Sequence, residues 1–453
     1  MAGTGSPILW QDEKRSITLL DIPRSVSAAQ GTAERPCYDL LLSSEPLEKP
    51  FVVVEPKSNK AKQNLQQNTV DEELHTAYRD ILDNALQSIR QHHQGPWALK
   101  RPFIAGQSIV RPGKKRKLDS QDITRDVHSV AETEDALPEN GLLDRIAQSD
   151  FTNQDPAERE PEEEACQICD SDDPNFQTNC SPSPLLKSHQ PPNCSSDQQT
   201  ANPIRIAPFS SFHLSDCTTH SRAFHTSIRH QANSHETRRH FDFILLDPPW
   251  PNRSVKRTYQ TPGAGYAISN SLDDVYDLLL KMDLDMLMAE DCLVGMWITN
   301  KQAIRELVLG EDGVFDQWGV ELVEEWIWLK TTVYGETVTP VESAWRKPYE
   351  ILLLGRKQRR GGAASGDVTD VKRRCIVAVP DLHSRKPCLK ELIEPLMPDP
   401  KDYRALEVFA RHLVAGWWSW GNKCTKFNTE SNWRRADDFK DTNADQKAVD
   451  RAP

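Results

Sequence analysis

The sequence predicts an α/β fold on a mainly parallel sheet, and two observations predict it: an alternation of element types, and an acid followed by two prolines and a tryptophan at the end of an apolar run. Strand-like runs at 241–246, 292–298, 320–328, 350–354, 375–379, 404–409 and 416–420 alternate with helical periodicity near 272–280, 301–310 and 388–397. Strands separated by helices are joined by crossovers, which favour parallel pairing. The first run, Phe241-Asp242-Phe243-Ile244-Leu245-Leu246, is short and almost wholly apolar, and Asp247-Pro248-Pro249-Trp250 follows it directly. It fits a buried central strand, and an acid at the carboxyl end of such a strand lies where open α/β sheets bind ligands.

The chemistry of those four residues is specific. Ionised Asp247 only accepts hydrogen bonds. Neither proline has an N–H, so the Pro248 carbonyl can face a ligand without a competing donor beside it. Trp250 offers a flat face for stacking. An exocyclic amine on a nucleobase, whose lone pair is delocalised into its ring, needs such a set: acceptors for both N–H groups and an aromatic neighbour. Stacking contributes about 1–3 kcal/mol per base and a hydrogen bond to a charged group about 1.5–3, which together offset the few kcal/mol needed to extrude a base. The bland alternative is a strand ending in a Pro-Pro turn with a capping Asp; Trp250 and the apolar strand argue against it.

Composition divides the chain. Only 37% of its 453 residues are hydrophobic and 31 are proline, so much of it lacks a core. Ten of the twelve tryptophans follow residue 240, whereas residues 121–200 carry 18 Asp and Glu against 4 Lys and Arg. The expected organisation is short strand-like patches of unassigned fold at 1–60, an amphipathic helix at 71–94, an acidic disordered linker at 112–200, a folded domain at 204–430 and a disordered tail at 431–453. In the helix, Leu74, Ala77, Tyr78, Ile81, Leu82, Ala85, Leu86 and Ile89 follow helical periodicity. The net charge of −12 is uneven: residues 201–430 hold 29 basic and 30 acidic side chains. A near-neutral domain binds nucleic acid only where its cations cluster, and Lys256-Arg257, Arg356-Lys357-Gln358-Arg359-Arg360 and Lys372-Arg373-Arg374 are the clusters available.

No apolar run reaches membrane-spanning length and the N-terminus lacks a secretory pattern, which implies an intracellular chain. Pro112-Gly113-Lys114-Lys115-Arg116-Lys117 is of nuclear-import type and favours the nucleus. Cys166 and Cys169 with Cys180 and Cys194 imitate a zinc site only loosely, so no metal is expected.

Acid-Pro-Pro-aromatic after a strand resembles the amino-methyltransferases that use S-adenosylmethionine, and the spelling Asp-Pro-Pro-Trp is similar to their adenine-N6 branch, the MT-A70-like family. Three further segments agree, in the family's order: Trp297 within Gly295-Met296-Trp297-Ile298-Thr299-Asn300, then Ser384-Arg385-Lys386-Pro387, then Glu407-Val408-Phe409-Ala410-Arg411-His412 followed by Trp420-Gly421-Asn422. The resemblance covers residues 204–430. It implies a Rossmann-like methyltransferase sheet that binds S-adenosylmethionine and methylates the N6 amine of adenine in nucleic acid, with Asp247, Pro248, Pro249 and Trp250 as the catalytic set. By the same resemblance Lys386 would meet the cofactor's carboxylate, Arg411 and His412 its ribose, Asn422 its adenosine end and Asp216 its adenine. Lys256, Arg257, Trp297 and Glu350 would serve the substrate. Arg411 is followed directly by His412, where the resemblance implies a slightly longer segment in the family's best-known RNA member, which bears on the ribose contacts. Residues 252–257 and 347–350 look most like one subgroup, which favours RNA, and small nuclear RNA adenosine in particular. The other readings are a DNA adenine methyltransferase and a catalytically silent nucleic-acid-binding partner; silent members have lost the acid or the aromatic, and this chain keeps both.

Overall fold

Two pairs of residues of opposite parity explain the architecture: along the run 241–246, Phe243 and Leu245 pack into one core and Ile244 and Leu246 into another, so the strand is covered on both faces. In the computed structural model of the chain, residues 6–52, 71–103, 173–188, 202–251, 271–343, 347–359, 371–382 and 385–437 are described. Lys256, Arg257, Ser384, Arg360, the basic run at 112–117 and Cys166, Cys169 and Cys194 lie outside them.

The described strands are β1 (Ile8–Gln11), β2 (Ile17–Leu20), β3 (Leu40–Leu41), β4 (Phe176–Thr178), β5 (Leu185–Ser188), β6 (Pro203–Ile206), β7 (Ser211–His213), β8 (Phe241–Leu246), β9 (Met288–Ile298), β10 (Val320–Lys330), β11 (Tyr349–Lys357), β12 (Lys372–Ala378), β13 (Ala405–Val408), β14 (Trp417–Trp420) and β15 (Trp433–Arg434). Eleven of them form one sheet in the order β1-β2-β12-β10-β11-β9-β8-β13-β14-β7-β4. Most of it is parallel, as the alternation predicts; β1, β4 and β11 run against their neighbours. The expected runs from 241 onward all appear, and helices Leu272–Lys281, Gln302–Leu309 and Lys390–Ile393 stand between them. Ser271 and Asp274 close a reciprocal capping box at the first of these.

On β14 the tryptophans alternate with the pleat: Trp417 enters one core, while Trp418 and Trp420 enter the other. Trp420 stacks on Phe224 at 4.1 Å, which seats helix Ser221–Ser234 on that face. The long N-terminal helix runs Glu72–His92, capped by Asp71 through Leu74 N–H at 3.0 Å. It buries Tyr78, Leu82, Ala85, Leu86 and Ile89 against the sheet, and the Tyr78 hydroxyl donates to the buried Glu325 carboxylate at 3.1 Å.

Strands also lie in three of the segments that composition sets apart from 204–430. Within 112–200, β4 pairs with β7 and β5 with β6; Phe176 is buried against Trp418 at 5.3 Å. The surrounding acids outweigh one buried phenylalanine in any composition average. Within 1–60, β2 joins the main sheet beside β12. Within 431–453, β15 pairs with β3 and Trp433 is buried.

Candidate active site

Asp247 follows β8 at its carboxyl end, where its N–H reaches the Val408 carbonyl of β13 at 3.4 Å. Its side chain lines a narrow cleft with Trp297, Arg385, Lys386, Glu407, Arg411 and His412. These residues come from four separated segments, and the parallel sheet brings them together because the strands that carry them end on one edge.

Lys386 is the centre of charge. Its ammonium donates to both Asp247 oxygens, Oδ1 at 3.0 Å and Oδ2 at 3.1 Å, and lies 3.1 Å from Glu350 Oε2. Glu350, on β11 opposite Trp328, also takes the Lys330 ammonium at 2.5 Å. Burial alone would raise the Glu350 carboxyl, but the two ammonium groups more than reverse it and hold it well below the usual range. Burial likewise works to discharge Lys386, and Asp247 and Glu350 outweigh it and keep the ammonium charged. Asp247–Lys386–Glu350–Lys330 is thus one alternating chain of charges, and each Asp247 oxygen keeps a further lone pair for a ligand.

The tetrapeptide itself turns tightly. The Pro248 carbonyl accepts from Trp250 N–H at 2.8 Å, so the expectation of a carbonyl without a neighbouring donor is corrected: the turn brings the tryptophan's own amide to it. The Trp250 indole N–H donates to the Trp297 carbonyl at 2.7 Å, and Lys301 donates to the Pro251 carbonyl at 3.0 Å. Trp297 is buried, packs edge-on to Trp328 at 6.0 Å and lies beneath the Lys386 ammonium at 5.5 Å. It serves both the core and the cleft wall.

Beyond β13 the chain turns at Phe409, which has φ +60, a strained value for a side chain of that size. This aims Arg411 and His412 along the cleft. Burial, then the Arg385 charge, hold His412 down to about 4, so it is a neutral imidazole at neutral pH, and its Nε2 is buried with no partner. Gly421, at φ +152, follows β14 and places Asn422, whose Oδ1 is also buried without a partner. Unfilled polar atoms on His412 and Asn422 are what a ribose and its base would satisfy, so the residues fit S-adenosylmethionine. Asp216 stands after β7, beside β14, with Oδ1 accepting from Thr218 N–H at 2.8 Å and the Thr218 hydroxyl at 2.7 Å.

Sequence reasoning named no role for Glu407, Arg385 or Lys330. The signal for Glu407 was present: a lone acid inside an apolar strand. Burial, then the Asp247 charge, push it up to about 8. A carboxyl whose folded pKa lies above its unfolded value of ~4.3 stabilises the fold at low pH, and that contribution is lost as pH rises through about 8. Glu407→Gln is therefore expected to flatten the fall in Tm across that window. A melting series from acid to mildly alkaline pH checks it, and an unchanged slope would show that Glu407 titrates normally.

A doubly covered, mostly parallel sheet with acid-Pro-Pro-aromatic at a central strand end, facing a polar-walled cleft, is consistent with a Rossmann-like methyltransferase fold. The MT-A70 family profile matches residues 241–423, and this domain is similar to N6-adenine methyltransferases. The N6-methyladenosine RNA methyltransferase MTA1 of Pyricularia oryzae is 44% identical over 198 residues, 44% of this chain and 50% of that protein. The N(6)-adenine-specific methyltransferase METTL4 of Mus musculus is 39% identical over 200 residues, 41% of this chain and 38% of that one. A DNA N6-methyl methyltransferase of Caenorhabditis elegans is 32% identical over 214 residues, 46% of this chain and 50% of that one. The chain therefore spans about half, or less, of the curated relatives it matches. No helix among the described residues is long and apolar enough to cross a membrane.

Proposed function

We propose that this chain transfers a methyl group from S-adenosylmethionine to the N6 amine of adenine in nucleic acid, RNA rather than DNA, with an adenosine of small nuclear RNA as the favoured target and the nucleus as the place of action. The observation that carries the reading is Asp247: an acceptor-only side chain at the carboxyl end of β8, in the same cleft as Lys386, Arg411 and His412. The share of relatives named for RNA supports RNA over DNA, and the basic run at 112–117 supports the nucleus.

Bound there, the cofactor would supply an electrophilic methyl on a sulfonium. The chain's own residues do the rest. Asp247 and the Pro248 carbonyl accept from the two amine N–H groups, which orients the nitrogen lone pair, and Trp250 stacks the ring. His412 and Asn422 hold ribose and adenine, and Lys386 faces the carboxylate. Holding both reactants so lowers the barrier by up to ~7–11 kcal/mol. Lys386→Ala and Asn422→Ala are each expected to weaken cofactor binding by about 1–3 kcal/mol. Calorimetric titration with S-adenosylhomocysteine reads this, and two unchanged affinities would refute both assignments.

The substrate is tested by nucleoside mass spectrometry of DNA and size-fractionated RNA from cells with and without the gene. Loss of N6-methylated adenosine from the small-RNA fraction is expected. Loss from DNA alone would overturn the choice of RNA.

A further inference from the structure

Among the described residues, the catalytic cleft holds its two lysines near Asp247, Lys386 and Lys330, in ion pairs with carboxylates. A second depression, larger and more open than the cleft, lies between the β1–β2 hairpin, β12 and the segment Glu391–Leu396. Four of its lining residues are cations, Lys14, Arg15, Lys372 and Arg374, and one is an anion, Glu391.

The cations are built into place. Asp12 closes the hairpin tip: its Oδ1 accepts from Ile17 N–H at 2.7 Å, its Oδ2 from the Ser16 hydroxyl at 2.7 Å and its carbonyl from Arg15 N–H at 3.0 Å. Arg15 consequently sits at φ +54, and its carbonyl accepts from Arg374 at 3.2 Å. Arg374 is held by both oxygens of Glu324, at 2.7 and 2.9 Å, and lies over Trp326 at 5.5 Å. Glu324 also faces Lys372 at 3.5 Å, so one carboxylate answers two cations, while Glu391 accepts from Ser6 at 2.6 Å. Lys14 and Arg15 are exposed on the rim, next to Asp12 and the exposed Glu13, and among the residues that line the groove cations outnumber anions four to one.

The groove is connected to the chemistry. The stretch Arg385–Leu389 lines the catalytic cleft, and its continuation, Glu391–Leu396, lines the groove. From β8 to β12 is four strand steps, about 20 Å. We propose that this groove is a second contact of the protein with its nucleic acid, gripping backbone phosphates several nucleotides away from the base in the cleft; the proposal rests on the nucleic-acid methyltransferase reading. It gives the N-terminal hairpin a role in substrate binding, since residues 6–20 build one wall.

Lys14→Ala/Lys372→Ala in the full chain tests it, because neither residue belongs to the catalytic cleft. For a labelled single-stranded RNA of twenty nucleotides, the slope of log K against log salt is expected to fall by about 0.7 per lost contact, roughly 1.4 for the pair. Affinities for a trinucleotide and for S-adenosylhomocysteine should stay put, which also reports an intact fold. An unchanged slope, with wild type binding normally, would overturn the groove alone. Absence of salt-dependent RNA binding by wild type would bring down the RNA reading with it. An unchanged RNA slope with lost affinity for a peptide of residues 121–172 would assign the groove to the chain's own acidic segment, and overturn the proposal.

Discussion

Asp247→Ala is expected to lower methyl transfer by about a hundredfold or more while S-adenosylhomocysteine affinity and Tm remain close to the parent's. The rate estimate follows from losing roughly 3 kcal/mol of charge-assisted hydrogen bonding to the amine, together with the orientation that it supplies. The stability estimate follows from the structure: Asp247 is part-exposed, and after its removal Lys386 keeps Glu350 at 3.1 Å, so no ammonium is stranded. A methyl-transfer assay and a calorimetric titration on one preparation separate the two quantities. Retained turnover would sink the assignment of the acceptor.

The largest stability effect is expected at Asp381, which is fully buried after β12. Its Oδ1 accepts from the Ser44 N–H at 2.8 Å and the Ser44 hydroxyl at 3.1 Å, its Oδ2 accepts from Arg385, and Arg101 lies 3.7 Å away, also buried. Asp381→Ala leaves the buried Arg385 guanidinium without its anion and Arg101 with Asp21 alone, which costs about 3–5 kcal/mol. The urea midpoint should fall accordingly. Burial alone would raise the Asp381 carboxyl, and Arg385 and Arg101 reverse this and hold it below its ordinary value. Its contribution is therefore present above the ordinary carboxylate pKa and is lost as pH falls below it, so wild type should lose more stability in acid than the variant does. A variant within 1 kcal/mol of wild type would mean that the arginines find other partners.

How much of this was legible in the sequence depends on the kind of signal. Strand β8 and its tetrapeptide were readable because six consecutive residues carry the burial pattern and the chemistry follows at once. Strands β9 to β14 were readable from apolar runs, and the long helix from its Leu74-to-Ile89 stripe. Strands β4, β6 and β7 and helix Ser221–Ser234 were not, because they are short or rich in Ser, His and Arg, and their burial comes from partners distant in sequence such as Trp418 and Trp420. The membership of Lys386 in the site was expected by resemblance, but its placement on Asp247 was not: an ion pair 139 residues apart leaves no local trace. The same holds for Arg101 with Asp381, and Lys330 meets Glu350 only through the register of β10 with β11.

The central claim is methyl transfer to the N6 amine at the Asp247 pocket. Purified chain is incubated with S-adenosylmethionine carrying a deuterated methyl and an adenosine-containing RNA, and the RNA is digested and read by mass spectrometry. The label is expected on N6 of adenosine with wild type and is expected to be lost with Asp247→Ala. Label on a ring nitrogen or a ribose oxygen, or equal labelling by both proteins, would contradict it.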